Sequence, residues 1–367
     1  MKIKEITSIL ERIAPPNLQE SYDNSGLLVG NNNDEVDKVL ICLDATEEIV
    51  DEAIATKSNL IIAHHPIVFG GLKRLNGTNY VERVVIKAIQ NKIAIYAIHT
   101  NLDNVLNQGV NAKISQKLGL LDTKILKRKK GELRKLVTFV PEKYADAVRS
   151  ALFTAGAGTI GNYSECSFNL VGSGTFTGNQ DTNAFVGKKG EQHQESEVRI
   201  ETVVPPQLCT QVERALLEAH PYEEVAFDWY VLDNSWNEVG AGMIGELEVP
   251  LSKTEFLAHV KQKLKVDVIR FTSPKNIERI KTVAVCGGAG SFLIDNAKGS
   301  KADAYVTGDV KYHEFFDAED DLFLCDVGHY ESEQFTIELI GEILLEKIPN
   351  FAVIFTRAIT NPIKYYY

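Results

Sequence analysis

Short apolar runs separated by segments of helical period recur at both ends of the chain, and this alternation limits the fold more than any other feature. VLICLD (39–44) and NLIIA (59–63) flank the helical segment TEEIVDEAIATK (46–57), and YVERVVIKAIQ (80–90) precedes a third run, IAIYAI (93–98). Antiparallel strands can be joined by a tight turn, whereas parallel ones need a crossover of about a dozen residues. Helix-length spacers between fully apolar runs therefore predict βαβ units and a largely parallel sheet. The last third repeats the pattern with TVAVCGG (282–288), AYVTGD (304–309) and LFLCDVG (322–328), then a helix from Glu331 to about Glu346 and the strand FAVIF (351–355). Segments 1–130 and 239–367 are thus expected to form two α/β lobes of mainly parallel or mixed sheet within one split domain.

The middle reads differently. LRKLVTFV, PEKYADAVRSALFTAG, SECSFNLV, SEVRIETVV, PPQLCTQVERALLEAH and EEVAFDWYVL give the order βαββαβ, the ferredoxin-like pattern. A long polar loop is expected between Gly172 and Gly190. Segment 131–238 is therefore read as an inserted domain. A chain of 367 residues exceeds one simple core, which agrees with two or three units.

Composition excludes some functions. A net charge of −11 argues against a general attraction to nucleic acid or anionic membrane. The basic run KILKRKK (124–130) reads as a solvated linker. The N-terminal MKIKEITSILERIAPP alternates charged and apolar residues at helical spacing and is unlike a signal peptide. No stretch approaches the ~18–20 apolar residues of a membrane span. Cys42, Cys166, Cys209, Cys286 and Cys325 are odd in number and widely spaced, as expected of reduced thiols in the cytoplasm.

In parallel α/β sheets, ligands bind outside the carboxyl ends of the strands. The residues that follow each predicted strand are therefore the informative ones. NLIIA is followed by His64 and His65, IAIYAI by His99 and Asp103, LFLCDVG by His329 and Glu333, VLICL by Asp44, and AYVTG by Asp309 and His313. Five of the eight histidines fall at such ends, and His329 and Glu333 lie at i, i+4 on one helix face. Each has an ordinary explanation: a hydrogen-bonded loop histidine, His65 bracing His64, an Asx turn at Asp103, a first-turn glutamate at Glu333. Those explanations are independent of one another, whereas a metal site accounts for every placement together. One ion needs about four groups. The set suffices for two ions sharing a carboxylate and spaced ~3.5–4 Å, as in two-metal hydrolases.

Other motifs say less. CGGAGS (286–291) reads as a tight βα turn or a phosphate-cradling one. YDNSGLLVG (22–30) is a polar loop that can line a cleft, and HPYEE (220–224) is a proline-forced helix stop. His193 and His259 lack ligand-like neighbours at strand ends.

Taken in order, DNSGLLVG, HHP, HTNLD, TGDVKYHE and DVGHYESE resemble the Nif-three-like proteins, many of which carry the name GTP cyclohydrolase I type 2 homologue. The similarity covers about 1–130 and 240–367. The middle segment is similar to the PII/CutA-like domain inserted in the longer bacterial members. Carried over position by position, the resemblance implies a dinuclear divalent-metal site on His64, His65, Asp103, His329 and Glu333, with Asp103 as the bridge. Zinc leads among the candidate metals, ahead of iron, manganese and cobalt. It also implies a toroidal homohexamer with its metals facing an internal cavity. The implied activity is opening of the GTP imidazole ring, with metal-activated water attacking the purine nucleotide at C8 and formate released. His99 and His313 are the proton-shuttle candidates. Two other readings stay open. One is a non-enzymatic metal-binding protein whose PII-like insert senses a ligand or gates the cavity; the other is a two-metal phosphoesterase.

Overall fold

Every apolar run of the first third becomes a strand whose side chains are buried on both faces, because helices cover the sheet they form. In the computed structural model, which describes residues 1–366, this sheet runs Gly26–Val29, Ala94–Ala97, Leu60–His65, Lys38–Asp44, Ala352–Phe355 from edge to edge. The three central strands are parallel to one another, the C-terminal strand joins them in parallel, and Gly26–Val29 is antiparallel at the other edge. Helices Glu47–Thr56 and Tyr80–Gln90 bury Ile49, Val50, Ala53, Val84, Val85 and Ala88 against Leu40, Ile61 and Ile95. Each valine, leucine or isoleucine among them contributes roughly 1.5–3 kcal/mol, and each alanine less. Thr46 and Asn79 cap these helices by accepting from the backbone N–H groups of Ile49 and Glu82.

A second sheet of the same unit runs Arg270–Phe271, Phe323–Asp326, Ala304–Gly308, Arg279–Ala289, Ser235–Ser252, Leu120–Lys130. Its central strands, Phe323–Asp326, Ala304–Gly308 and Arg279–Ala289, are again parallel, with antiparallel neighbours on both sides. The mixed α/β architecture agrees with the sequence reading. Contacts divide the chain into this unit, residues 1–128 with 237 to the C-terminus, and a second unit, 129–236.

Three details differ from expectation. KILKRKK is no linker: it lies in the strand Leu120–Lys130, where Ile125 and Leu126 are buried while Lys124, Lys127, Arg128 and Lys130 are exposed. The single helix expected from Glu331 is two, His329–Glu333 and Thr336–Lys347. The break frees the first to aim two side chains at the functional site while the second buries Leu339, Ile340, Ile343 and Leu344. Part of the polar loop YDNSGLLVG is the edge strand Gly26–Val29.

The second unit is a four-stranded antiparallel sheet in the order Ser167–Thr177, Gln192–Val204, Arg134–Pro141, Phe227–Val231, with helices Ala145–Thr154 and Cys209–Ala219. This is the ferredoxin-like βαββαβ topology. The expected loop is shorter than its sequence suggests, because Gly172 and Gly174 sit within the first long hairpin strand. A Cβ at Gly174 would lie 2.1 Å from Glu197 Oε2, so glycine makes room for that carboxylate. Among the described residues all five cysteines are free, and no helix is long and apolar enough to cross a membrane.

Candidate metal centre

The carboxyl ends of the parallel strands in the first unit deliver the polar residues expected there. Leu60–His65 ends in the histidine pair, and Ala94–Ala97 leads through His99 into the short helix Thr100–Asp103. Phe323–Asp326 leads through Gly328 into the helix His329–Glu333. The rings of His64 and His65 lie 4.9 Å apart between centroids, with His329 5.2 Å from His65 and His99 within 5.3 Å of both members of the pair.

One nitrogen of each ring is already committed. His64 Nδ1 lies 2.8 Å from the Ile98 carbonyl, His65 Nδ1 2.7 Å from Asp44, His99 Nδ1 2.8 Å from Asp23, and His329 Nδ1 2.7 Å from Asp309. Carbonyl and carboxylate oxygens only accept, so Nδ1 carries the proton and donates in each case. Nε2 of each ring is thereby turned away from its support, the orientation that outer-shell partners impose on metal-binding imidazoles. Asp44 and Asp309 stand out in the sequence as strand-end residues without a role. Asp23 escapes sequence reasoning, its only signal being its place in the polar DNSG loop.

The freed atoms converge with two carboxylates. His65 Nε2 lies 3.0 Å and His329 Nε2 3.2 Å from Glu333 Oε2, while His64 Nε2 is 3.8 Å from Glu333 Oε1 and 3.7 Å from Asp103 Oδ1. Ligand atoms about 2.1 Å from one tetrahedral ion stand roughly 3.4 Å apart, so these spacings fit shared coordination. Three triads could each hold a metal ion: His65 with His329 and Glu333, His64 with Asp103 and Glu333, and His64 with His65 and His99. The resemblance puts the bridge at Asp103; here Glu333 is the carboxylate common to two triads.

A sharper test of fit comes from His64, which is fully buried. Its Nδ1 proton goes to Ile98, and burial lowers its pKa, so the ring is neutral and Nε2 is a bare acceptor. Neither that atom nor the buried Asp103 Oδ1 has a hydrogen-bond partner among the described residues. Two buried acceptors facing each other across 3.7 Å without a donor are costly, and a cation is the species that satisfies both. The donor set fits a divalent metal.

The electrostatics draw positive charge into the cluster, and a metal ion binding there has to displace the protons that the carboxylates favour on His65 and His329. Burial opposes a charge on His65, but the Asp44 and Glu333 carboxylates outweigh it and raise the pKa to about 10. Burial likewise opposes a charge on His329, and Glu333 and Asp309 raise it to about 9. Burial and the Glu333 charge push Asp103 well above the usual carboxylate range. Glu333, despite its burial, is held well below that range by His329, His64 and His65.

Glycines at the end of the strand Arg279–Ala289 make space for this arrangement. Gly288 has φ +64°, and a Cβ there would lie 2.5 Å from Glu333 Oε1. Its N–H donates to Ser332 Oγ at 2.9 Å. Most of CGGAGS is therefore strand rather than turn: Cys286–Ala289 end the strand, Gly287 and Gly288 accommodate Glu333 there, and Gly290 leads into the 3₁₀ turn Ser291–Leu293. The cluster opens into a cavity of about 610 Å³ walled in part by Tyr22, Phe69, Tyr80, Phe292 and Tyr330. His313 is not brought there: its exposed ring lies beside Tyr312 and Phe316 on the 3₁₀ segment Tyr312–Ala318, whereas Asp309, four residues earlier, is in contact with His329.

Replacing Asp44 by alanine is expected to weaken metal affinity about 10–100-fold with the fold retained, because His65 Nδ1 loses the acceptor that fixes its ring. Competition against a chromophoric chelator measures this, and an unchanged affinity would show that Asp44 does not position His65.

Fold and site together define an α/β protein with a histidine–carboxylate cluster at the carboxyl ends of its parallel strands. The chain belongs to the Duf34/NIF3 (NGG1p interacting factor 3) family, whose profile matches residues 1–362. A relative from Halalkalibacterium halodurans named "GTP cyclohydrolase 1 type 2 homolog" is 39% identical over 362 residues, 97% of each chain. A Bacillus subtilis protein of the same name is 39% identical over 329 residues, covering 89% of this chain and 88% of its own. The crystal structure of a Bacillus cereus protein related to NIF3 superposes with a TM-score of 0.86 at 40% identity, covering 100% of this chain and 99% of that one.

Proposed function

We propose that the cluster holds two divalent metal ions and that the protein is a metal-dependent hydrolase of the kind its relatives' name denotes, acting on a purine nucleotide ring. The observation that carries the metal reading is the pair of buried, donorless acceptors, His64 Nε2 and Asp103 Oδ1. In this reading His65 and His329 would hold one ion and His64 and Asp103 the other, with Glu333 available to either. Bound ions of this type supply Lewis acidity toward water and substrate. Zinc suits the imidazole and carboxylate donors, with iron, manganese and cobalt as alternatives.

The chain's own residues do the rest. Asp23, Asp44 and Asp309 hold the imidazoles in one tautomer. His99 is in contact with Asp23, its ring lies 5.7 Å from that of Phe69, and it lines the cavity, where it is placed to move a proton to or from a bound substrate. The aromatic walls suit a planar heterocycle. Among the described residues the lining carries Glu20, Asp44, Asp103, Asp309 and Glu333 and no lysine or arginine, so the phosphates of a nucleotide or of a phosphoester would both lack a basic partner from the protein. The toroidal homohexamer, the cytoplasmic location and the PII-like character of the insert belong to the same proposal.

Incubation of metal-replete protein with GTP is expected to release formate, and Asp103→Ala to abolish release. Formate production unchanged by Asp103→Ala would assign the activity to a contaminant. Tight metal binding without formate would favour the non-enzymatic metal-binding reading instead.

A further inference from the structure

The inserted unit contains a second cavity, of about 600 Å³, lined wholly by its own residues. Its walls are apolar and aromatic: Phe139 and Leu170 from the sheet, Phe176 near the hairpin end, Phe185 from the loop that follows, and Tyr222 from the HPYEE segment. That segment does more than stop a helix. His220 is buried, its Nε2 donates to the Phe139 carbonyl at 3.0 Å, and its Nδ1 accepts from the Tyr222 N–H at 3.1 Å. The segment is thereby fastened to the sheet, and Tyr222 donates its hydroxyl to Glu197 Oε1 at 3.0 Å. Phe176 and Phe185 each have their ring centroid 6.3 Å from that of Tyr222.

Glu197 is nine-tenths buried, and no lysine, arginine or histidine pairs with it among the described residues. Its other oxygen lies against Gly174, where any side chain would collide with it. Glu223 and Glu224 add two further carboxylates to the lining. Arg199 is the one basic lining residue; its Nε is 2.9 Å from Glu201, and its guanidinium lies 5.9 Å from the centre of the Phe139 ring. A buried carboxylate supported by a single phenol calls for a positive partner, and aromatic faces around it stabilise an ammonium group.

We propose that this cavity is a binding site for a small organic cation, its ammonium group held between Glu197 and the rings of Phe176, Phe185 and Tyr222, and its apolar body lying along Phe139 and Leu170. The volume is that of a metabolite-sized site. The proposal is independent of the metal cluster, which shares no residue with this cavity.

The test uses the full-length protein and three compounds of one shape, titrated by calorimetry: phenethylammonium, neutral 2-phenylethanol and anionic phenylacetate. Phenethylammonium is expected to bind at least about 10-fold more tightly than either control. Glu197→Gln, which keeps the oxygen that accepts from Tyr222, is expected to remove most of that preference. Phe185→Ala and Glu224→Gln, both at exposed positions, are expected to weaken it by smaller factors, and they carry the test if Glu197→Gln does not fold. Metal content should be the same in all three variants. Binding of phenylacetate as tight as that of the ammonium, a preference untouched in every folded variant, or no heat from phenethylammonium at millimolar concentration would each overturn the proposal.

Discussion

Protein carrying Glu333→Ala is expected to retain less than one divalent ion per chain, against close to two in the parent. Glu333 is common to two of the triads, with Oε2 within 3.2 Å of His65 and His329 and Oε1 3.8 Å from His64. Its removal takes a donor from both ions and the charge that offsets their burial. Affinity should fall by more than the 10–100-fold that an outer-shell change produces. His65→Ala provides the contrast. It leaves His64, Asp103 and Glu333 in place, so elemental analysis should find about one ion per chain. Equal, near-complete retention in both variants would remove the cluster from consideration as the metal site.

Stripping the metal should cost stability as well as any activity. A ligand that binds only the folded state stabilises it by about 4 kcal/mol at a thousandfold excess over its Kd. For a unit of this size 1 kcal/mol corresponds to roughly 2–4 °C in Tm. The melting temperature of the first unit is thus expected to fall by roughly 10 °C on chelation and to return when the ion is restored. The same sign follows from the site itself, because without a cation His64 Nε2 and Asp103 Oδ1 remain buried acceptors with no donor. Scanning calorimetry with and without chelator decides the matter, and coincident transitions would contradict a structural contribution from the metal.

Much of the fold and of the cluster is legible in the sequence. Strands buried on both faces are recognisable as unbroken apolar runs, and the rule that ligands gather at their carboxyl ends singles out His64, His65, His99, Asp103, His329 and Glu333 together. What stays hidden depends on tertiary partners. Nothing local marks Asp23 as the support of His99, since 76 residues separate them. The lysine-rich Leu120–Lys130 reads as solvated because only Leu120, Ile125 and Leu126 are buried in its eleven residues. The break between His329–Glu333 and Thr336–Lys347 has no proline or glycine to announce it. Gly172 and Gly174 suggest a loop, since the demand for a small residue beside Glu197 arises only across the paired strands. His313 shares the placement of the clustered histidines in sequence, but the 3₁₀ turn after Gly308 carries it outward.

The contact between His65 and Glu333 spans 268 residues. At a synthesis rate of about 5–20 residues per second, the histidine doublet leaves the ribosome some tens of seconds before the glutamate it meets. The edge strand Ala352–Phe355, which completes the first sheet, is made later still. For that interval the nascent chain presents imidazole donors with no completed cage around them. Under the proposed function, metal loading would follow the synthesis of Glu333, and a chain truncated anywhere before His329 would expose only half of the cluster.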